Sequence, residues 1–430
     1  MRVRYVLRAA HGLEIEVHHL RQHRLAGGHA RPWKACSTFA ENALDVQREL
    51  HRRGRYDPQR GLRGRLHLGG SFLCLLGARM LACGRKEPPP SAHELNKSRG
   101  IAMRIAISEA SDLIFKVLTR HGLSSQHARI VEAHIVDSML IGREFLGLAR
   151  LLTMIELLRQ KGPPGSIEIV RENDVSASID GGDSVGYVTS LVGIDKAVSL
   201  ARKGGIGVVT VNNTWNSGRL GYYVERAARC GLIAFHTLNT TACVAPAGGL
   251  RAVFGTNPLA FAVPTSSDPI IIDFGTSAVT AGEVALRSET GVPLEEGWAI
   301  DGQGRPTLDA AQALAGAILP WGGHRGFSLA LMAQILGIMS GGKPVIDGVG
   351  GFGMFFLVID PGHFHSQVEF QERLAVLLRA IDQSSLAATG RPTRLPGQES
   401  AARRRAALAA GTIDVNAIMY TRIRDLAAKR

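Results

Sequence analysis

Between residues 319 and 337 the chain reads LPWGGHRGFSLALMAQILG, which sets Gly322, Gly323, His324, Arg325 and Gly326 directly ahead of a run that is apolar on nearly every helical face. The first N–H groups of a helix lack intrahelical acceptors, glycines let a ligand approach the backbone, and Arg325 adds a guanidinium. The combination predicts an anion site at the mouth of a buried helix. Further clusters of glycine, proline and small polar residues stand at the ends of apolar runs: NTTACVAPAGG, FGTNPLAFAVP, DFGTSAVTAGE, EEGWAIDGQGRPT and RLPGQESAARRR. Read singly, each is a turn or a helix cap. Familiar catalytic signatures are missing: there is no HExxH, CxxC, Walker or GxSxG pattern, so no metal is expected. The GxGxxG fingerprint of dinucleotide sites is missing too, because GVGGFG at 348–353 follows a loop and leads into a strand.

These clusters need elements to hold them. Ser108 is predicted to cap a helix with Leu113, Ile114, Val117 and Leu118 on one face, ending at Gly122. Ser124 opens a second helix with Val131, Ile135 and Met139 in a stripe, and after REFLG a third carries Leu151, Leu152, Ile155 and Leu158 to the stop at KGPPG. The period then changes: IEIV, IGVVTVNN, GLIAFHTLN, NPLAFAVP and PIIIDFGT read as strands, with VTSLVGIDKAVSLARKGG and GYYVERAARCG as helices between the earlier ones. Such alternation implies an α/β fold with a substantially parallel sheet. MFFLVID adds a strand, and helical segments follow. The resulting division is a helical part at 103–172, an α/β cofactor- and substrate-binding region at 173–354, and a C-terminal segment at 355–430 that packs on the first helices.

The charge is unevenly spread. Of the net +13, residues 1–102 carry +11, from 16 Arg and 3 Lys against 8 Asp and Glu, together with 8 of the 15 His and 3 of the 5 Cys. A basic arm invites a nucleic-acid or membrane-surface role. Its basic residues, however, are scattered among Gly, His and Leu without a sustained period, and FLCLLGARMLACG is too short for a membrane span. The pattern therefore predicts that 1–102 is an extension outside the fold, disordered or upstream of a start at Met103. Five cysteines without paired spacing, and no apolar core after the N-terminal arginines, predict a cytoplasmic protein with Cys230 and Cys243 as small core residues.

In order and spacing, the clusters named above resemble the type-2 malate/L-lactate dehydrogenase family from about Met103 to the C-terminus. The resemblance implies a non-Rossmann α/β fold with a mixed or parallel sheet, flanking helical N- and C-terminal segments, NAD or NADP as cofactor, a homodimer, and a small carboxylate substrate. It places His324 and Arg325 on the dinucleotide, with arginine where a lysine is common. Asn239, Thr240 and Thr241 match a segment that touches the cofactor, as do Asp273, Thr276 and Ser277 of DFGTS, and Gly397 and Gln398 match a late LPGE contact.

The departures concern chemistry. Family members carry Ser-His in a segment like GIDSHGVARL, the histidine supplying the proton to the nascent alkoxide. This chain reads GREFLGLARL at 142–151: Gly147 and Arg150 are kept, and Phe145 and Leu146 replace the pair. A second family histidine is matched by Asn216. Leucine transfers no proton at any pH. Three readings stay open: Glu144, or Asp301 of GWAID, substitutes as acid; the substrate is a cyclic 2-imino carboxylate, whose reduction creates no alkoxide; or the chain binds a dinucleotide without turnover. In the first two, Arg150 clamps the substrate carboxylate with its bidentate fork.

Overall fold

The computed structural model describes residues 102–384 and 393–428, together with four short strand segments between residues 4 and 62. Two compact units result, Met1–Pro89 and Pro90–Arg430. In the first, Arg4–Ala9 pairs with Leu13–His18 and Tyr56–Asp57 with Gly61–Leu62, both antiparallel. The expectation for 1–102 otherwise falls outside the described residues.

The large unit begins with β1 (Ala102–Ala106) and three helices, α1 (Ile107–Arg120), α2 (Ser125–Leu140) and α3 (Leu148–Gln160). Ser124 caps α2 by accepting the His127 N–H at 3.2 Å. Ser108 does not cap α1: the helix starts one residue earlier, after Ala106, with no side-chain cap. The three apolar stripes converge on Ile114, Leu118, Val131, Ile135, Leu151 and Met154, all fully buried. The same core takes Ile413 and Val415 of β12 (Thr412–Asn416) and Ile423 of α11 (Ala417–Ala428), because β12 pairs antiparallel with β1, Met103 opposite Val415.

The central sheet has seven strands: β2 (Glu168–Glu172), β3 (Ser176–Val185), β4 (Ile206–Trp215), β5 (Ile233–Leu238), β6 (Leu259–Val263), β7 (Ile270–Phe274) and β11 (Phe352–Ile359). In space the order is β7-β6-β5-β11-β4-β3-β2. Within it only β3 and β4 are parallel neighbours, which corrects the expected substantially parallel sheet to a mixed one. The crossover helices α4 (Gly186–Gly204) and α5 (Gly221–Ala228) do return the chain so that β3, β4 and β5 run the same way. The late strand β11 then inserts antiparallel between β4 and β5, a pairing that local alternation does not reveal.

Helix α4 covers β11 through Gly193, where a Cβ would stand 2.7 Å from Phe356. It approaches β4 so closely that a Cβ on Gly207 would lie 2.1 Å from the Ala197 carbonyl oxygen. A small three-stranded sheet joins β8 (Ala299–Ile300), β9 (Pro306–Thr307) and β10 (Ala317–Ile318), flanked by α6 (Ala281–Thr290) and α7 (Ala310–Leu314). Helix α8 (His324–Met339) lies across the end of β5 and the start of β11, and α9 (Gln367–Gln383) and α10 (Gln398–Ala410) follow. Two expectations fail here. Helix α8 is not buried: it packs inward through Gly326, Ala330, Ala333 and Gly337 and leaves Leu331, Met332, Ile335, Ile338 and Met339 exposed. Cys230 is exposed and Cys243 half-buried, rather than both being core residues.

Candidate active site

The start of α8 is a tight turn. Gly322 and Gly323 adopt φ of 59° and 64°, the left-handed region that glycine tolerates without strain. The Arg325, Gly326 and Phe327 N–H groups donate to the Gly322, Trp321 and Gly323 carbonyls. Three of the N–H groups that the sequence reading offered to an anion are thus taken up within the turn. The side chains of His324 and Arg325 remain: both are exposed, and neither forms an ion pair among the described residues. A phosphate would be met here by side chains at an uncapped helix start, which still suits a dinucleotide.

Thr276 and Ser277 adjoin this turn. The Trp321 N–H donates to the Thr276 carbonyl at 2.9 Å, and Ser277 bridges Pro320. Thr276 Oγ1 donates to the Thr256 carbonyl and Ser277 Oγ to the Val279 carbonyl, so both hydroxyls shape the loop. Asn239 is fully buried and committed: Nδ2 donates to the Lys343 carbonyl at 2.8 Å, and Oδ1 accepts the Gly353 N–H at 2.7 Å. The Thr240 N–H donates to Asn257 Oδ1, and Asn257 in turn donates to the Ala330 carbonyl and Gln334 Oε1 of α8. Thr241 Oγ1 donates to the Gly348 carbonyl. Of these, Asn239 and Asn257 are buried and hold backbone around α8, while Thr241 is exposed. Gly397, at φ 90°, precedes α10 and sits against Ile271 of β7, while Gln398 Oε1 accepts the Leu395 N–H and lines a cleft of about 480 Å³.

Asp273 joins the loop of Thr276 and Ser277 to a second cluster. Its Oδ2 accepts the Gly221 N–H at the start of α5, and a Cβ on Gly221 would lie 2.7 Å from both Asp273 Oδ2 and Arg219 Nη1. Burial raises the Asp273 carboxyl, opposed by Arg219, the Gly221 N–H and Arg143. Arg219 pairs with Asp137 of α2 at 2.6 Å, and Arg404 of α10 spans Asp137 at 2.8 Å and Glu225 of α5 at 2.7 Å. This partly buried network locks three helices around the 216–219 loop. The Arg219 N–H donates to His134 Nε2 at 2.9 Å, and His134 packs edge-on against Tyr187 with ring centroids 4.7 Å apart.

Arg150 is carried by α3. It lines a cleft of about 640 Å³ with Phe145, Thr153 and Gly282, and it forms no ion pair among the described residues. Its charge, after burial and Arg219, helps hold His134 well below the ordinary imidazole range. Burial pushes the Tyr187 hydroxyl up to about 12, opposed by Arg150. Phe145 fills the position of the lost serine and packs on Gly282, where a Cβ would lie 3.0 Å from its ring. Asn216 adopts φ 53° and leaves Nδ2 without a partner.

The two candidate acids fare differently. Asp301 Oδ1 accepts the Gln303 and Arg305 N–H groups at 2.9 Å, and Oδ2 accepts Arg305 Nε at 2.9 Å. The hydrogen bond from the Arg305 N–H is foremost among the causes that hold the carboxyl below its usual range. Asp301 is an ionised turn residue whose lone pairs are engaged, so it has no proton to give near neutrality, a correction to its reading as a substitute acid. Glu144 lies in a single 3-10 turn, Glu144–Leu146, and its side chain is outside the described residues. Sequence reasoning missed His134, Tyr187, Arg219 and Asn257. His134 and Asp137 carried a signal, polar residues one turn apart on a helix stripe that has to be buried.

A family model described as malate/L-lactate dehydrogenase matches residues 105–424. The chain belongs to this family. It is 33% identical over 299 residues to a malate dehydrogenase of Pyrococcus horikoshii, covering 66% of this chain and 83% of that one. A Delta(1)-pyrroline-2-carboxylate reductase 2 of Burkholderia multivorans is 35% identical over 239 residues, 55% of this chain and 70% of the relative. The solved structure of malate dehydrogenase from Pyrococcus horikoshii OT3 matches with a TM-score of 0.68 at 29% identity, covering 76% of this chain and 95% of that one. The family's dehydrogenases and reductases thus include proteins named for a 2-hydroxy acid and for a cyclic imino acid.

Proposed function

We propose that the chain reduces a small cyclic 2-imino carboxylate, with 2-oxo acids as poorer substrates, and that Arg150 orients the carboxylate. The observation that carries this is the Arg150 guanidinium, which forms no ion pair among the described residues, in a chain where Leu146 and Asn216 stand at the family's histidine positions and Asp301 is held by its own turn. NAD or NADP, when bound, supplies the hydride. Residues of the 320–326 turn, with Asn239, Thr240, Thr241, Asp273, Thr276, Ser277, Gly397 and Gln398 holding the surrounding loops, would seat it. Arg150 fixes the carbon next to the carboxylate, and Phe145 and Leu146 exclude water from it. A protonated imine becomes a neutral amine on accepting hydride, whereas a ketone becomes an alkoxide that needs a proton. The apolar face of α8, with Ile335 and Met339 more than half exposed, supports a homodimer built on that helix. A cytoplasmic setting completes the reading.

The test follows nicotinamide absorbance with pyrroline-2-carboxylate, piperideine-2-carboxylate, pyruvate and oxaloacetate. Because general acid catalysis is worth about 10²–10⁴-fold, kcat/KM should favour the imines by about a hundredfold or more, and Leu146→His should raise ketone reduction selectively. Arg150→Ala should depress both reactions. Equal turnover of ketones and imines would instead make Glu144 the acid.

A further inference from the structure

The cleft of about 640 Å³ that Arg150 lines is walled by α3, α6 and α11. Its apolar wall consists of Phe145, Leu152, Leu286, Met419 and Leu426. Arg150 Nε is buried without a hydrogen-bond partner, and the guanidinium forms no ion pair among the described residues. The other two arginines of the lining are answered. Arg422 pairs with Glu289 at 2.8 Å and Arg159 with Glu156 at 3.6 Å, and Asp425 adds a further carboxylate. Glycine at 282 leaves Arg150 its room: a Cβ there would lie 3.0 Å from the Phe145 ring and 3.6 Å from Arg150 Nη2. Because Gly282 opens α6 just past the Thr276–Ser277 loop, one end of the cleft is tied by the chain to the loop that adjoins the 320–326 turn.

We infer that this cleft selects a cyclic imino monocarboxylate with an apolar group fused to or carried on its ring: Arg150 takes the one carboxylate, and the apolar wall takes the added group. Pockets of about 300–1,000 Å³ hold drug-sized ligands, so the cleft has room well beyond a single five-membered ring bearing a carboxylate. Apolar surface that a larger ring removes from water against Leu152, Leu286 and Met419 adds affinity in proportion to its area. A second carboxylate meets the opposite. With Arg159 and Arg422 already paired, it would face Glu156, Glu289 and Asp425 with no cation left to answer it. The cleft therefore discriminates against dicarboxylates and keeps a guanidinium fork for the carboxylate next to the reacting carbon. This assignment rests on the proposed carboxylate substrate and names its class.

The test titrates the full chain by calorimetry, with NADH and again with NADPH present, using aromatic carboxylates that lack a reducible imine. Pyrrole-2-carboxylate, indole-2-carboxylate and pyrrole-2,5-dicarboxylate share the first carboxylate and add nothing, an apolar ring or a second charge. Indole-2-carboxylate should bind about tenfold tighter than pyrrole-2-carboxylate, and the dicarboxylate about tenfold more weakly. Arg150→Ala should weaken all three. Ala285→Phe, at an exposed position of α6 on the cleft, should bring the indole-to-pyrrole ratio close to one. Glu289→Gln releases Arg422 from an exposed pair at little cost to the fold, and should narrow the gap between dicarboxylate and monocarboxylate about three- to fivefold. Indole-2-carboxylate bound no tighter than pyrrole-2-carboxylate, a dicarboxylate bound as well as the monocarboxylate, or full binding by Arg150→Ala overturns the assignment. Nicotinamide absorbance with pyrroline-2-carboxylate separates this from the proposed reaction. A parent that ranks the three ligands as stated but reduces no imine loses the reaction and keeps the cleft, whereas one that reduces the imine and ranks them otherwise keeps the reaction and loses the cleft.

Discussion

The turn at 320–326 and the cluster around His134 are built on opposite principles. At the turn, left-handed glycines and internal backbone hydrogen bonds set the shape, and the side chains of His324 and Arg325 are exposed on it. Around His134, side chains from α2, α4, α5 and α10 meet in a partly buried volume, where Arg219 and Arg404 depend on partners from distant segments. The first kind of site is decoupled from stability, because deleting an exposed cation leaves nothing buried and unpaired. The second is part of the fold, so binding and stability are carried by the same residues.

The largest expected effect tests that coupling. Arg404 is partly buried and answers both Asp137 and Glu225, so Arg404→Ala leaves Asp137 with Arg219 and Glu225 with Arg229 and unties α10 from α2 and α5. Losing hydrogen bonds to charged groups typically costs about 1.5–3 kcal/mol each, Arg404 makes them to both carboxylates, and chemical denaturation should show a loss of about 3–6 kcal/mol. Because Asp137 also holds Arg219, which fixes His134, kcat/KM should fall in the same variant. A loss of stability with full activity would separate the network from the site.

Acid should act next, and through burial. His134 is held well below, and His236 down to about 3 from, the usual imidazole value of 6.5, both chiefly by desolvation. The folded state refuses a proton that the unfolded chain accepts near pH 6.5. Their contribution is therefore intact above that pH and is lost as pH falls below it, by about 1.4 kcal/mol per pH unit for each histidine, until the folded value is reached. Denaturation midpoints measured from pH 7 to 5 should drop accordingly, and His134→Gln should remove about half of the slope. A flat profile would mean that neither ring is buried uncharged.

The same contrast explains what the sequence discloses. Glycine, proline and small polar clusters are local, and together they mark the family, the turn before α8 and the loops holding Asn239 and Thr276. The three N-terminal helices are legible because apolar residues recur at helical spacing. Strand β3 is not, since SASIDGGDSV alternates only at Ala177 and Ile179 before two glycines, and its pairing with β4 supplies what its composition lacks. The place of β11 depends on a pairing across more than a hundred residues. Asp301 misleads in the other direction: an acidic residue at a family position is taken up by the turn that follows it. His134 and Tyr187 are 53 positions apart in the numbering, and no local pattern reveals that they share a wall.

The smallest effect sharpens the contrast from the exposed side. Arg325 is solvent-facing at the start of α8, and no carboxylate pairs with it among the described residues. Arg325→Ala should leave the denaturation midpoint unchanged, because no buried group loses a partner and the turn is held by its own carbonyls. Dinucleotide affinity should nonetheless weaken by about 1–3 kcal/mol, the scale of a charge-assisted hydrogen bond to phosphate. Arg325→Lys should recover part of that loss by keeping the charge without the fork, and the difference between the two variants should shrink as salt is raised. Titration of NADH and NADPH into both variants reads the effect without any substrate, so it is independent of how the carboxylate side behaves. Equal affinity for parent and Arg325→Ala would remove this side chain from the cofactor and leave the turn as shape alone; a fall in stability would show that the exposed side, too, is coupled to the fold.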